Sequence, residues 1–565
     1  MNVGIVGSGP AFEAVRTALD DDSVEQIGVE TIESVSLAVV IDTTGAAVFE
    51  RANELATESD TPWLAVELGG VGGKAVCEAA ITGFGPETAC YACLCARVEA
   101  NGFVKDESET DAATARLAGA MAGYEARQLC AGEESSIVGG VIELPHAERR
   151  LLPVPNCACA TERDRTLVRE YEKRDLDDAL GRAERAFDRR IGIVREVGEI
   201  ASFPAPYYLA RIGDTGGFSN VSAATEAAGV AAGWDRAFMK ALGEALERYS
   251  AGVYRTENFA HEPATALDGA ISPSAFVLPN DVEIDTEEAI PWVAGEHLSS
   301  GESVRLPAEF VQFPPPEHRY GPSITTGLGL GSSGAEALCS GLYEIIERDA
   351  AMVSWYSTFE PLGLAVEDEE FSVLSRRARS EGLTVTPVLL TQDIDVPVVA
   401  VAVHREEWPR FAVGSAANFE PHTAARSALT EALQSWMELR AMSPEGADAA
   451  EGALGQYADS PGVAGEFFDV DRRIPAESVG PSEPPSGADE LDALLTRVTD
   501  AGVDAYGARL TPRDVEHLGF EAVRVLVPAA QPLFTGEAYF GERAHTIPHE
   551  LGFEPRLDRE FHPYP

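Results

Sequence analysis

The sequence predicts an α/β fold in two bodies, a Rossmann-like domain over residues 1–160 and a larger α+β domain over residues 202–565, with a helical connector over 161–201. Three observations carry this. A chain of 565 residues is too long for one hydrophobic core. Its opening, "MNVGIVGSGPAFEAVRTAL", reads as a short strand, a glycine turn and a helix. Its C-terminal two-thirds repeats one glutamate-bearing helical pattern three times.

In the first body, "SVSLAVVIDTTG" and "PWLAVELGG" supply further buried strands between acidic, helix-like segments. Gly7, Gly9 and Pro10 stand where a Rossmann strand meets its helix, but Phe12 takes the place of the third glycine. A phenyl ring there crowds the approach of strand and helix, so the turn reads as structural and not as a pyrophosphate cradle.

Seven of the eight cysteines fall between Cys77 and Cys159, which indicates a local site in a reducing compartment. Cys90 and Cys93 form one close pair, and Cys157 and Cys159 a second. Brought together, the two pairs make a tetrahedral thiolate set of the kind that suits structural zinc. Cys95 is an alternative fourth ligand, and buried thiols or a redox pair are the other readings. Cys77, Cys130 and Cys339 stand apart as core residues.

The charged run from Glu162 to about Glu199 reads as the helical connector. The second body mixes alternating strands, such as "VTPVLLTQDIDVPVVAVAVHR", with apolar-periodic helices. Residues 441–489, rich in Gly, Pro, Ser and acids, read as a surface insertion.

The internal repeat carries the chemistry. "ALGEALER" spans Ala241–Arg248, "GLYEIIER" spans Gly341–Arg348, and "ALTEALQS" spans Ala428–Ser435 with Gln434 in place of a second glutamate. Residues three apart share a helix face, so Glu244 pairs with Glu247, Glu344 with Glu347 and Glu431 with Gln434. Paired carboxylates facing each other across two helices suit magnesium, an oxygen-binding cation that keeps waters and phosphates. Glu336 lies two turns before Glu344, and Arg348 offers a planar fork of donors to a phosphate. The turn Thr325–Ala337, with Ser332, has glycines and serines suited to lining phosphates at a helix start. Solvated ion pairs are the bland alternative, and repetition within apolar helices weighs against it.

Composition narrows the class. With 93 acidic and 43 basic residues the formal net charge is -50, which repels nucleic acid and anionic membranes, so neither is expected as a partner. The acids are spread along the chain, the pattern of a protein dissolved in a salt-rich cytoplasm. No basic, apolar signal segment opens the chain, and no run of about 18 apolar residues is present to span a bilayer. A cytoplasmic location follows as the expectation.

On these motifs the second body resembles the YcaO-type ATP-dependent enzymes. "ALGEALER", Glu336, "GLYEIIERDA" and "GSAANFEP…ALTEALQS" follow in that family's order, and the closing "FHPYP" is similar to the tail of its azoline-forming members. The first body resembles the E1-like partner domain of those enzymes through "CYACLCARV" and "PNCACA". The resemblance implies a cyclodehydratase that phosphorylates a peptide amide oxygen, closing Cys, Ser or Thr into azolines in a ribosomally made peptide, and the acidic composition points to a salt-loving archaeon as its host. Thioamide formation is the alternative product, and a non-catalytic peptide-binding scaffold is the reading from another class. ATP, magnesium and structural zinc are the implied cofactors. Glu244, Glu344, Glu336, Ser332 and Arg348 are then nucleotide contacts, and Glu244, Glu247, Glu344 and Glu347 hold magnesium. Glu431, Gln434 and the carboxylate of Pro565 serve catalysis. Because the chain opens directly on the Rossmann strand, a separate leader-binding or sulfur-delivery partner is expected, and a homodimer is possible.

Overall fold

A computed structural model describes residues 2–19, 24–102, 110–133, 135–145, 147–159, 164–448, 453 and 455–565. The N-terminal body is a seven-stranded sheet. Its parallel part runs Val24–Gln26, Val3–Val6, Leu37–Thr43 and Trp63–Leu68, and it continues antiparallel through Ala79–Phe84, Gly140–Leu144 and Ala147–Arg150. The apolar runs read from sequence are these strands, because a parallel sheet covered on both faces needs near-continuous Val, Ile and Leu. Helices Pro10–Leu19 and Ala112–Ala131 pack together on one face. They touch closely because Gly119 lacks a side chain: a Cβ there would lie 2.2 Å from the Ala11 carbonyl oxygen. Phe12 is buried in that core, where the missing third glycine would have been.

The second body holds three sheets. One is three-stranded, ordered Glu226–Val230, Tyr207–Ile212, Val194–Ala201. The second runs Ala260–Pro263, Ala289–His297, Tyr506–Arg509, Glu521–Leu526, Leu328–Gly331, with Ser303–Pro307 also paired to Ala289–His297. The third runs Phe411–Ala417, Val398–His404, Thr384–Leu389, Leu362–Ala365, Arg473–Pro475.

Two expectations are corrected here. The connector is not a helix: residues 164–175 carry no helical structure, Leu176–Ala183 is a short helix, and Val194–Ala201 is already a strand of the second body. Its charges are held by tertiary partners instead, as where Arg169 pairs with Glu296. Residues 161–163 lie outside the described residues. Nor is 441–489 merely a surface insertion, because Tyr457, Phe467 and Phe468 are buried in the main core and Arg473–Pro475 pairs with Leu362–Ala365. The aromatic residues outweigh the polar composition that suggested a loop. Residues 449–452 and 454 lie outside the described residues.

The two bodies share one apolar cluster, which runs from Val40 and Phe49 through Cys93 and Leu94 to Leu242, Ala245 and Leu246. Inside it, Arg97 is 1% exposed and pairs with Asp514, which is fully buried. The Tyr249 hydroxyl donates to the same Asp514 oxygen at 2.6 Å, and Arg97 also donates to the Pro153 carbonyl at 3.2 Å.

Candidate functional site

Each glutamate helix follows an edge strand. Glu226–Val230 leads into Trp234–Gly252, Leu328–Gly331 into Gly334–Trp355, and Phe411–Ala417 into Pro421–Ala441. All three strands terminate their sheets, so one side of each backbone lacks a strand partner. The first glutamate of each repeat supplies the missing acceptor. The N–H of Ala228 donates to Glu244 Oε2 at 2.9 Å, that of Gly327 to Glu344 Oε2 at 3.0 Å, and that of Ser415 to Glu431 Oε2 at 2.7 Å.

Strand and helix come this close because Gly229, Gly329 and Gly414 sit between them. A Cβ at these positions would lie 2.3 Å from Ala237 O, 2.1 Å from Ala337 O and 2.4 Å from Ala432 N. The three units are thus structural equivalents, although only their helices were read as a repeat. A glycine 15 to 17 residues before the first glutamate was the available signal.

The three edges meet at a cleft of about 690 Å3. It is lined by Glu244, Glu247, Ser332, Glu336, Glu344, Glu347, Arg348, Glu431 and Gln434, so every residue assigned from the repeat and its preceding turn is brought together there. Lys240, Arg248, Tyr343 and Ser415 also line it and were not assigned from sequence. The "ER" ending common to the first two copies was a signal for Arg248.

Three of the carboxylates, Glu247, Glu344 and Glu347, are largely withdrawn from water. Burial, reinforced by Glu344 and Glu244, pushes Glu247 up to about 8. Burial also raises Glu344, against the pull of Arg348 and the Gly327 N–H. Glu347 is raised for the same reason, although Arg348 opposes it and the Ser415 hydroxyl donates to it at 2.6 Å. Arg348 lies 3.4 Å from both Glu347 and Glu431, joining the second and third helices. Arg248 pairs with Glu244. Gln434 donates to Glu438 at 3.1 Å, so the third helix presents an amide where the others present acids. Glu336 lies at the start of its helix: Ser333 caps it, and the Ser332 N–H donates to the Glu336 carboxylate at 2.9 Å.

No three of these carboxylates, among the described residues, come within 4.8 Å of one another. They do not form a ready-made cage around one point. That spacing fits magnesium, which is held by one or two carboxylates plus phosphate oxygens and water.

The cysteines behave differently. The sulfurs of Cys90, Cys93, Cys157 and Cys159 all lie within 4.8 Å of one another. The Cys90–Cys157 and Cys93–Cys159 separations are 3.6 Å, and Cys90–Cys93 is 3.8 Å. Four thiolates around an ion at about 2.3 Å stand roughly 3.8 Å apart, whereas a disulfide needs about 2.05 Å. The set therefore fits a tetrahedral metal. Cys95 is outside the group, which corrects the alternative that it replaces one of the four: two residues past Cys93, it sits on another side of the helix Tyr91–Ala100.

The C-terminal tail is packed in. Tyr564 is fully buried and His562 is 1% exposed, its Nε2–H donating to the Phe534 carbonyl at 2.8 Å. Pro565, however, borders a separate small cavity with Val413, Ser435 and Tyr457 and is not among the residues lining the glutamate cleft. The tail approaches the site from behind the third repeat. Burial, with Arg348 adding to it, pushes His562 down to about 4.

Among the described residues no helix is long and apolar enough to cross a membrane. The family model described as "YcaO cyclodehydratase, ATP- and Mg2+-binding" matches residues 228–531. An uncharacterised protein of Methanothermobacter thermautotrophicus is 34% identical over 224 residues, covering 37% of this chain and 56% of that protein. The chain thus spans about half the length of this curated relative. A solved structure titled as a heterocyclase in complex with substrate and cofactor matches with a TM-score of 0.74 at 19% identity, over 98% of this chain and 83% of that one. The YcaO protein of Methanopyrus kandleri, solved with AMPPCP and Mg2+, matches with a TM-score of 0.52 at 23% identity, over 64% of this chain and 93% of that one. At these identities the likeness is one of fold.

Proposed function

This chain belongs to the YcaO family of ATP- and Mg2+-binding cyclodehydratases, and from that premise we propose that it activates backbone amides of a ribosomally made peptide and closes Cys, Ser or Thr residues into azolines. One observation supports this above others: three edge strands bring their glutamates and Arg348 into a single cleft of about 690 Å3, ample for a nucleotide.

The reaction needs ATP because an amide oxygen is a very poor leaving group. The substrate's thiol or hydroxyl adds to the carbonyl carbon, forming a C–S or C–O bond and giving up its proton to a base. The resulting oxyanion attacks the γ-phosphorus, an O–P bond forms, and the bond to ADP breaks. The amide nitrogen loses its proton as phosphate departs, leaving a C=N bond. Arg348 binds the transferring phosphoryl group, Glu336 and the Ser332 turn orient the nucleotide, and Glu244, Glu247, Glu344 and Glu347 would line the magnesium site, one or two of them ligating the ion beside phosphate oxygens and water. Bound there, magnesium neutralises charge developing on the phosphates. Glu431 and Gln434 border the reacting end, and we assign the carboxylate of Pro565 a part in proton handling only through movement of the tail.

We assign zinc to the four-cysteine cluster and an E1-like, peptide-presenting role to residues 1–160, with 202–565 as the catalytic body. A salt-rich cytoplasm accounts for the charge of -50. A leader-binding or sulfur-delivering protein is the partner this scheme calls for, and a homodimer is compatible with it.

The test is to incubate the protein with Mg2+, ATP and Cys/Ser/Thr-rich peptides encoded beside its gene, following product by mass spectrometry. Loss of one water per ring supports azolines. Exchange of oxygen for sulfur supports thioamides, and ATP consumption without either refutes both.

A further inference from the structure

Behind the glutamate cleft lies a second cavity of about 110 Å3. Its walls are mostly apolar, with Phe276, Leu278, Phe310, Leu526 and Pro528 among them. The two spaces adjoin: Arg348 lines both, Thr325 faces the cleft, and Thr326 faces the second cavity. Arg348 and the backbone at Thr325 and Thr326 form part of the wall between them.

The polar atoms on this partition are short of partners. Arg524, 4% exposed, donates through Nη1 and Nη2 to the carbonyls of Thr325 and Ile324, each at 3.0 Å, yet its buried Nε has no hydrogen-bond partner. The Oγ of Ser323, also buried, has none either, and the Nη1 of Arg348 has only the Glu347 carboxylate, 3.4 Å away. A buried donor left unpaired costs about 1–3 kcal/mol, and such atoms gathered at one cavity call for an acceptor from outside.

We propose that this cavity seats the reacting residue of the substrate, a small uncharged residue whose backbone carbonyl oxygen faces Arg348 and Arg524. The inference rests on the amide-activating function proposed above and adds where the amide sits and which residues fit. Phosphoryl transfer requires the amide oxygen to stand on the far side of the γ-phosphate from ADP, and Arg348 is the side chain that reaches both spaces. Size restricts the occupant: an apolar cavity of ~150 Å3 holds a benzene ring, so one near 110 Å3 takes a Cys, Ser or Thr side chain and excludes Trp. Charge restricts it too. Two guanidinium groups face one carboxylate, Glu309, whose Oε1 already accepts from the backbone N–H groups of Arg319 and Tyr320 at 2.9 and 2.7 Å. With the charges of Arg348 and Arg524 already balanced by glutamates of the cleft, the mostly apolar walls leave a buried cation without a free counter-charge, which disfavours cationic side chains.

The experiment uses the full chain with Mg2+ and AMPPCP, and N-acetylcysteine N-methylamide as the probe, followed by ligand-observed NMR and by crystal soaking. The probe is expected in the second cavity with its acetyl or amide carbonyl oxygen against Arg348 and Arg524, and N-acetyllysine N-methylamide is expected to bind at least ~10-fold more weakly. Filling the cavity by Ala530→Phe, or from another wall by Leu278→Trp, is expected to weaken the probe at least ~10-fold while Mg2+–AMPPCP affinity stays within about twofold. Either filler that keeps its thermal midpoint suffices. A probe bound elsewhere, bound equally in the filled variants, or absent while Mg2+–AMPPCP binds, overturns the acceptor site and leaves the nucleotide reading standing. A wild-type chain that fails to bind Mg2+–AMPPCP overturns the proposed function and the acceptor site with it.

Discussion

The cysteine cluster and the glutamate cleft both gather like-charged ligands, and they do so in opposite ways. The four sulfurs are drawn to within 4.8 Å of one another, leaving no position for anything but an ion. The first glutamate of each repeat is tied back to its own strand, or to the residue just before it, by a backbone N–H, which holds the three helices' acids around a space of about 690 Å3. A closed ligand set belongs to a structural metal and an open one to chemistry. The difference lies in what anchors each ligand: a helix turn and a nearby loop for the thiolates, three separate sheet edges for the carboxylates.

Four changes break or sharpen that contrast. The largest effect is expected from Cys90→Ser, which removes one corner of the closed set. Elemental analysis should show about one zinc per chain lost, and thermal unfolding should show destabilisation on the order of 5 kcal/mol, part of what a structural zinc contributes to folding. Cys95→Ser should keep the metal. If both variants retain full zinc, or neither wild type nor variant holds any, the closed-set assignment fails.

Next is Glu344→Gln, which preserves shape and helix propensity but withdraws a charge from the open set. Mg2+-dependent ATP turnover is expected to fall by at least ~10²-fold, the scale for a group acting on the transition state. Glu550→Gln, on an exposed helix end, should leave turnover unchanged. Equal rates in wild type and Glu344→Gln would remove the metal role.

The third contrast is with pH. Glu247, held up to about 8 by burial and by Glu344 and Glu244, must release its proton before it takes a cation. Since proton and metal compete, Mg2+–nucleotide affinity should rise with pH, by up to ~10-fold per unit between about 6 and 8, and level off above. Calorimetry across that range measures it, and Glu247→Gln should flatten the curve. A wild-type affinity independent of pH would contradict the assignment of Glu247.

The smallest effect is expected from Gln434→Glu, which restores the second acid of the third repeat. It places a carboxylate beside Glu438, which now receives the Gln434 amide at 3.1 Å and the Tyr207 hydroxyl at 3.1 Å. Like-charge repulsion of that kind costs a few tenths of a kcal/mol in exposed helices and more where burial is partial, so a change in nucleotide affinity of less than about 10-fold is expected. Tighter Mg2+ binding in this variant would show that the third repeat is a lapsed metal arm.

Helical spacing made most of the cleft legible. Glu244, Glu247, Glu344, Glu347 and Arg348 reveal a shared face because three residues make almost a full turn. The cysteine set was legible for another reason, since few cysteines occur elsewhere. What escaped depended on pairings distant in the chain. Arg524 meets Ile324 and Thr325 only after two strands become neighbours, and nothing local marks an arginine in a strand as a site residue. The connector failed for a related reason: its charge pattern looks helical, but its partners lie in other elements. The tail is packed, as its prolines and aromatic rings suggest, and its terminal residue borders a cavity beside the cleft, since prolines announce stiffness without saying where the chain goes.

The buried contact of Arg97 with Asp514 has a consequence for dividing this chain into working parts. Asp514 belongs to the glutamate body by sequence, but its counter-charge arrives from the cysteine-bearing helix, and its second partner, Tyr249, lies two residues past Glu247. A fragment starting near residue 202 would lose that cation together with the first body's share of the apolar cluster, exposing Leu242 and Leu246 at a cost of roughly 3–6 kcal/mol. That is a large share of any domain's margin of stability. The two bodies are therefore expected to melt as one cooperative unit, and a freestanding glutamate body would first need its shared apolar face made polar, at Leu242 and Leu246.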